Sequence, residues 1–463
     1  MSFALDDTIA AIATAPGEAG LAVVRVSGTS AIAIADRVFR GGAPLTGAAG
    51  NTLHHGWLAG DARVDEVVAA LFRAPRSYTR EDVVEFSCHG GSMPARSVLA
   101  LLLASGARLA RPGEFTLRAF LHGRLDLVQA EAVAELIGAR SESMQRAALS
   151  RLGGQLSREM RAQLEALADA LAEVEARVDF AEDVGGVEVP AELVARIGAI
   201  GGALRAHLRG AAWGRAMREG VPVVIVGQPN AGKSSLFNRL VGEDRAIVAD
   251  VPGTTRDRVS ATLEREGALF TISDTAGLRE TSDGVEALGI ARAHAALEDS
   301  AVAIWVLDGS RALDDADRAI AARLAGRRVL VALHKADRGE VVSEDGVRTL
   351  LVPAGAAGAA AESVAVVRTS AVTGDGVELA LDALARVAGF VAGETLTVER
   401  QAHTLESACA ALDRAAAVGA AGEPGEIVAL ELREALSALE ELLGQRVSDD
   451  LLERVFSRFC IGK

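Results

Sequence analysis

The chain has 463 residues, 63 of them Asp or Glu against 48 Lys or Arg, for a formal net charge of −15. That length suffices for about three domains, each able to bury its own core. So acidic a balance argues against a broad electrostatic grip on nucleic acid, whose phosphates reward positive surface, so any RNA contact must come from a local patch or a partner.

Half of the residues are hydrophobic, yet charges interrupt the apolar stretches before the roughly 20 residues that a membrane span needs. The opening run Met1 to Asp7 lacks the basic-then-apolar pattern of a signal peptide, so a cytoplasmic protein with no membrane role is expected. Cys88, Cys409 and Cys460 are scattered without CxxC spacing, which fits a reducing compartment and excludes a CxxC-type zinc cluster.

Residues 1–121 alternate short β-like runs (Leu21 to Val26, Val67 to Phe72, Val83 to Phe86) with glycine-rich turns and one helix, Ser97 to Leu103. That pattern predicts an α+β domain. From 122 to 219 the pattern turns helical. Leu164, Leu167, Leu171, Val174 and Val178 step by three and four, as do Leu193, Ile197, Ile200, Leu204 and Leu208, so each set lines one apolar helix face. The arginines from Arg205 to Arg218 read as a charged helix face, with an RNA-binding patch as the alternative. Residues 220–386 alternate strands and helices as a parallel α/β domain does, with an Ala- and Gly-rich loop at 354–361. Residues 387–463 return to helices, including Ile427 to Leu443. A multidomain fold follows, with a Ras-like α/β P-loop domain inserted into a discontinuous helical domain.

The inserted region carries the chemistry. Gly227-Gln-Pro-Asn230-Ala231-Gly232-Lys233-Ser234 is a complete GxxxxGK[ST] phosphate loop between the apolar run Val221 to Val226 and a helix that begins at Ser235. Its glycines let backbone N–H groups turn toward phosphates, Lys233 neutralises the β/γ charge, and the Ser234 hydroxyl suits Mg²⁺. Asp274-Thr275-Ala276-Gly277 ends the run Leu269 to Ile272. It supplies a carboxylate that meets Mg²⁺ through water and a glycine amide for the γ-phosphate. His334-Lys335-Ala336-Asp337 follows Val329 to Leu333 where a guanine-reading NKxD motif belongs. The Asp337 carboxylate can accept from both N1 and the 2-amino group of guanine, a donor pair that adenine lacks, so GTP is expected over ATP. Ser370-Ala371, after the strand-like Val364 to Val367, supplies the backbone contact to the base oxygen.

Two positions depart from the common pattern. His334 replaces an asparagine that ties the base loop to the phosphate loop, and an imidazole reproduces only part of an amide; weaker nucleotide binding with guanine preference kept is expected. Leu278 follows DxxG where Ras-like switches carry a water-orienting glutamine. Transition-state help must come from elsewhere. The segment Asp250 to Asp257 is switch-like, with Thr254 or Thr255 able to reach Mg²⁺. Asn230 is either a turn residue or a ligand for a monovalent cation beside the β/γ-phosphates.

These motifs, the PNxGKS loop, GTTRD, DTAGLRE, residues 111–132 and the terminal PheCysIleGlyLys of 459–463 together resemble the MnmE (TrmE) family of tRNA-modification GTPases across nearly the whole chain. The resemblance implies K⁺ bound by Asn230, Thr254 and the backbones of Ala249 and Val251, and Mg²⁺ held by Ser234 and Thr255. It also implies Glu286 as the water-orienting residue, which by itself reads as a solvated helix charge. The N-terminal domain would bind 5-formyl- or 5,10-methylene-tetrahydrofolate and form a homodimer, with Arg25, Glu85, Arg124 and Lys463 contacting the folate. His122 and Arg124 stand where the family commonly has Asn and Lys. Cys460 alone reads as an inert buried thiol; its family position makes it a candidate catalytic residue. The implied activity is K⁺-dependent GTP hydrolysis that, with the flavoprotein MnmG, modifies C5 of the wobble uridine of certain tRNAs. A ribosome-assembly GTPase of the Era or Der type is the rival reading, but such proteins carry a second G domain or a basic RNA-binding module, and this acidic chain shows neither.

Overall fold

A computed structural model describes residues 6–180, 188–208, 220–245, 260–265, 268–274, 297–298, 300–352, 363–389 and 398–463. The chain divides into two compact units. Unit 1 comprises Met1–Gly138, Ala148–Leu204 and Thr404–Lys463; unit 2 comprises Ala139–Ala147 and Arg205–His403. In sequence, unit 2 interrupts unit 1.

Unit 1 is built on seven strands, β1 (Ile9–Ile12), β2 (Leu21–Ser27), β3 (Phe39–Gly41), β4 (Thr52–Ala59), β5 (Arg63–Phe72), β6 (Val83–His89) and β7 (Arg108–Leu109), in spatial order 3-4-5-6-2-1-7. All pairs are antiparallel except β1 with β7. Alternation along the strands sends Val24, Val26, Leu58, Val67, Ala69, Leu71, Val84 and Phe86 into one core, where helices Ala31–Val38 and Ser92–Ala104 cover them. The opposite parity of β2 and β6 leaves Arg25 and Glu85 side by side in register, as the pleat requires of directly opposed residues.

The expected helical stripes form two helices, Gln155–Asp179 and Ala191–Leu208, which bury Leu167, Leu171 and Val174, and Leu193, Ile197, Ile200 and Leu204. Helix Gly425–Leu443 packs on the first of these, and Arg433 adds a 2.7 Å ion pair to Glu175 at the rim. The helix Asp449–Phe456 and Phe459 close a further core with Leu117, Leu127, Ala130 and Val133. Gly113 permits this closure, because a Cβ there would meet the Phe456 carbonyl oxygen at 2.5 Å, at a φ of +68° that side chains resist. Gly462 is thereby brought against the end of β1 and Arg25 of β2.

Unit 2 holds six strands, β8 (Val221–Val226), β9 (Ser260–Arg265), β10 (Ala268–Asp274), β11 (Val302–Asp308), β12 (Val329–His334) and β13 (Val364–Thr369), in order 13-12-11-8-10-9. Only β9 is antiparallel. The central strands are buried on both faces, β12 along its whole length, which explains their unbroken apolar runs. Helices Lys233–Arg245 and Val377–Ala388 contribute to the core on one face, and helices Asp315–Leu324 and Glu344–Leu351 to that on the other. In such sheets ligands sit beyond the carboxyl ends of the strands, and there the chain places the phosphate loop, Asp308, His334 and Ser370.

Candidate functional site

β8 delivers the phosphate loop directly into helix Lys233–Arg245, so the loop amides and the helix N-terminus face the same space. Asn230 adopts a left-handed φ of 62°, and the Ala231 amide donates to Gln228 O at 3.3 Å. Lys233 folds back over the loop, its Nζ donating to Gly227 O at 3.0 Å and Gln228 O at 2.9 Å. Gln228 had no role assigned from sequence, yet its Nε2 donates to Asp314 Oδ1 at 2.6 Å and Asp317 Oδ1 at 2.8 Å. Those carboxylates form the capping box of helix Asp315–Leu324, so a cap also pins the loop. The capping box spacing is visible in sequence; the loop as its partner is not.

The base-binding side forms from the ends of β12 and β13. Lys335, at φ 63°, donates to Asn230 O at 2.9 Å and to Asp308 Oδ2 at 2.6 Å. Asp308, also unassigned from sequence, sits opposite His334 across β11 and β12. Burial works against its ionisation, but hydrogen bonds from Lys335 and Ser310 outweigh that and hold its pKa at about 2, below the ordinary 3.8. A depressed carboxylate contributes stability that is complete above the unfolded pKa and fades as pH falls through the folded one, here from about 4 toward 2. Asp308→Asn is expected to lower the stability of the nucleotide-binding unit by about 2 kcal/mol at neutral pH, with the gap to wild type narrowing below pH 4. Thermal unfolding across pH measures this, and a gap that stays constant to pH 3 contradicts it.

Asp337 accepts a hydrogen bond from Ser370 Oγ at 2.6 Å, and that bond more than any other contact keeps its carboxyl below the usual range. Ser370 Oγ in turn accepts from the amides of Val372 and Thr373 at 3.2 and 3.3 Å. Gly232, His334, Lys335, Asp337 and Ala371 line one cavity of about 480 Å³. The structure thus brings together the phosphate loop and the expected base-reading residues.

His334 is 3% exposed. Its Nδ1 pairs with Thr369 Oγ1 at 3.0 Å, while the ring lies so close to the phosphate loop that a Cβ on Gly232 would sit 2.3 Å from Cδ2 and 2.7 Å from Nε2. Nε2 makes no hydrogen bond among the described residues, so packing takes the place of an amide bond to the loop. Burial, and then the Lys335 ammonium, push the ring's pKa down against the pull of Asp337 and Asp308, so the imidazole is neutral at pH 7.

Several expected residues lie outside the described ones: Ala249, Val251, Thr254 and Thr255 in the switch-like segment, Thr275, Ala276, Gly277, Leu278 and Glu286 after β10, and the 354–361 loop. Asp274 is described as the last residue of β10, without its side chain. Ser234 and Ser235 open helix Lys233–Arg245. Arg209 to Arg218 also lie outside the described residues.

In unit 1 a second cluster forms at the end of the tail. Arg25 Nε donates to Glu85 Oε1 at 2.6 Å, and its Nη1 donates to Gly462 O at 3.4 Å. The Phe115 amide donates to Lys463 O at 3.1 Å and the Gly113 amide to Cys460 O at 3.4 Å. Arg124 reaches the same place through Tyr78, donating to its carbonyl at 2.9 Å. Arg25, Glu85, Arg124 and Lys463 therefore gather from β2, β6, the turn after helix Glu114–Leu121 and the tail. Burial lowers the Lys463 pKa first and nearby Arg25 lowers it further, with Glu85 opposing. Arg25 pairs with Glu85, Lys463 feels the charge of both, and Arg124 shares the Tyr78 ring with Arg25, a donor set that suits an anionic ligand. Cys460 is exposed, which corrects the expectation that the thiol is buried: Phe459 takes the core position and its neighbour lies at the surface. No described helix is long and apolar enough to cross a membrane.

A parallel sheet with a phosphate loop at its first strand and a guanine-type pocket at its last two defines a GTP hydrolase of the phosphate-loop class. The tRNA modification GTPase MnmE of Symbiobacterium thermophilum is 43% identical over 469 residues, covering 99% of this chain and 100% of that one, and that of Thermotoga petrophila is 38% identical over 466 residues, covering 99% and 100%. With the MnmE helical domain matched over residues 127–460 and the GTP-binding protein TrmE N-terminus over 8–124, the chain belongs to the MnmE family of tRNA modification GTPases. Among solved structures, the G domain of the T. maritima FeoB iron transporter overlaps with a TM-score of 0.27 and 25% identity, over 36% of this chain and 98% of that one.

Proposed function

We propose that the protein is a K⁺-stimulated GTPase that acts as a homodimer in the cytoplasm with the flavoprotein MnmG. Together they would add an aminomethyl or carboxymethylaminomethyl group to C5 of the wobble uridine of certain tRNAs, with a tetrahydrofolate as one-carbon donor. The observation that carries this reading is the presence, in one chain, of a guanine-nucleotide cavity and a separate cation-rich cluster. A pure nucleotide switch of the Era or Der type has no use for the second. The domains would be 1–121 for folate and dimerisation, 122–219 with 387–463 as the helical body, and 220–386 as the G domain.

In this reading Glu85 accepts from the pterin's donor edge beside its partner Arg25, Arg124 meets a carboxylate of the glutamate tail, and Lys463 also contacts the folate. Among the described residues Glu85 engages only Oε1, which leaves an acceptor for such a ligand. Cys460, exposed beside the tail, is proposed as a residue of that chemistry. At the nucleotide, Lys233 would neutralise phosphate charge, Ser234 and Thr255 would hold Mg²⁺, and Asn230, Thr254 and the backbones of Ala249 and Val251 would hold K⁺. Hydroxyl, amide and carbonyl oxygens are the hard donors that both ions favour, and K⁺ bound there would supply positive charge opposite the developing phosphate charge. Glu286 would orient the water, since Leu278 cannot.

Exchange of K⁺ for Na⁺ is expected to cut GTP turnover at least about tenfold, because the cation stands in for an arginine finger; undiminished turnover in Na⁺ removes the cation from the mechanism. Mass analysis of tRNA nucleosides from cells lacking the protein is expected to show loss of the C5-substituted wobble uridine, and an unchanged nucleoside profile defeats the pathway assignment.

A further inference from the structure

The phosphate loop is held at two separate places. Its base side is tied by Lys335 Nζ, which donates to Asn230 O at 2.9 Å, and by the His334 ring packed on Gly232. Its entry is fixed differently. A Cβ on Gly227 would run into Val306 O of β11, and Gln228 Nε2 donates at 2.6 and 2.8 Å to Asp314 and Asp317, the two carboxylates of the capping box on helix Asp315–Leu324. Both acceptors are fixed by other partners as well. Asp314 Oδ1 accepts from the Asp317 amide at 2.9 Å, and Arg311 pairs with Asp314 at 3.1 Å and with Asp317 at 2.9 Å. Asp317 is 1% exposed, so an amide that donates to this pair is held as firmly as the end of the helix. The carbonyls of the anchored segment hold the loop's cation. Gly227 O and Gln228 O both accept from Lys233 Nζ, at 3.0 and 2.9 Å, and Lys233 is the cation that meets the β/γ charge in a loop of this kind. A loop already ordered spares its ligand the cost of ordering it. Gln228 lies outside the lining of the base cavity, so its hold acts on the phosphates and not on the base.

We propose that Gln228 is a positioning residue: by hydrogen bonding to the capping box of helix Asp315–Leu324 it fixes the Gly227 and Gln228 carbonyls, and through them Lys233, in the geometry that receives the phosphates of a guanine nucleotide.

The test compares GDP with inosine diphosphate, whose base lacks the 2-amino group that Asp337 reads, by calorimetry on the full chain. Gln228→Met has nearly the same size and cannot donate, and Arg311 remains on both carboxylates, so the helix cap survives. In this variant the Kd for GDP is expected to rise about tenfold, the scale of one hydrogen bond to a charged acceptor. The Kd for inosine diphosphate should rise by the same factor, so that the preference for guanine stays within about twofold of wild type. Asp314→Ser keeps a residue able to cap the helix but withdraws one of the two acceptors. It is expected to weaken GDP in the wild-type background and not to weaken it further in Gln228→Met, because both substitutions break the same contact. Loss of a negative charge near the phosphates would by itself favour GDP, so a weaker Kd in Asp314→Ser has the opposite sign to a plain charge effect. An unchanged GDP Kd in Gln228→Met, a guanine preference that shifts by more than about twofold, or additive losses in the double variant would each overturn the inference. Each Kd is read at full binding stoichiometry, which partial unfolding would lower.

Discussion

Asp337→Asn is expected to weaken GTP binding by about a thousandfold and to make xanthosine triphosphate the better ligand. Asp337 lies in the wall of the base cavity with its carboxylate steadied by Ser370 Oγ. Guanine offers two donors on one edge, and each hydrogen bond to a charged acceptor contributes roughly 1.5–3 kcal/mol. An asparagine turns one acceptor into a donor that faces the 2-amino group, so one bond is lost and a repulsion replaces it. Xanthine carries a carbonyl at that position and restores the match. The Ser370 hydroxyl can still donate to the amide oxygen, so the loop need not rearrange. Competition of GTP and xanthosine triphosphate against a fluorescent guanine nucleotide measures the exchange. GTP affinity within about threefold of wild type would falsify the assignment of Asp337 as the base reader.

The second large effect is on stability. Arg118→Ala is expected to destabilise unit 1 by about 3–5 kcal/mol, the range for breaking a buried ion pair from one side. The Arg118 side chain is 1% exposed and ion-pairs with Asp7, with Glu81 at 3.0 Å and with Glu114 at 3.2 Å. Arg108 is a second cation on Asp7 and Glu114, but among the described residues the Glu81 carboxylate would keep only its hydrogen bond from Ser27. Burial opposes ionisation of both Asp7 and Glu114, and hydrogen bonds from Arg108, with Arg118 adding at Asp7, still bring their pKa values below the ordinary 3.8 and 4.5. Stability from depressed carboxylates is present above those ordinary values and is lost as pH falls through the lower folded ones. The difference between Arg118→Ala and wild type should therefore be full above about pH 5 and shrink in acid. Denaturant unfolding at pH 7 and pH 3.5 tests both parts; a difference under about 1 kcal/mol at pH 7, or one that grows in acid, argues against them. The consequence reaches the cation-rich cluster, because the same helix carries Phe115 and Thr116, which face Arg25 and Tyr78.

What could be read from the sequence follows a physical rule. The phosphate loop was legible because eight consecutive residues dictate their own backbone geometry, and the buried parallel strands because burial on both faces leaves an unbroken apolar run. Asp337 and Ser370 were legible because each follows such a run at a fixed offset. Gln228, Asp308 and Tyr78 were not. Gln228 meets Asp317 across 89 positions and Lys335 meets Asn230 across 105, and nothing local in the sequence encodes such a partner. Arg118 was hidden for a different reason: an arginine in an amphipathic helix reads as solvated, and only the fold reveals three carboxylates converging on it. The departure at His334 was visible, but its resolution by packing on Gly232 was not, since that depends on how closely two loops approach.

The hydrogen bond from Arg25 to Gly462 joins residues 437 positions apart, with an entire second unit encoded in between. Chains grow from the N-terminus at about 5–20 residues per second, and domains fold as units as they emerge. The nucleotide-binding unit can therefore mature while its host is still unfinished. For tens of seconds at that rate the apolar surface of Leu117, Leu127, Ala130 and Val133 has no counterpart to meet, because Phe456 and Phe459, which close that core, are made last. The contacts of Arg25 with Gly462 and of the Phe115 amide with Lys463 can therefore form only after the nucleotide-binding unit has been made.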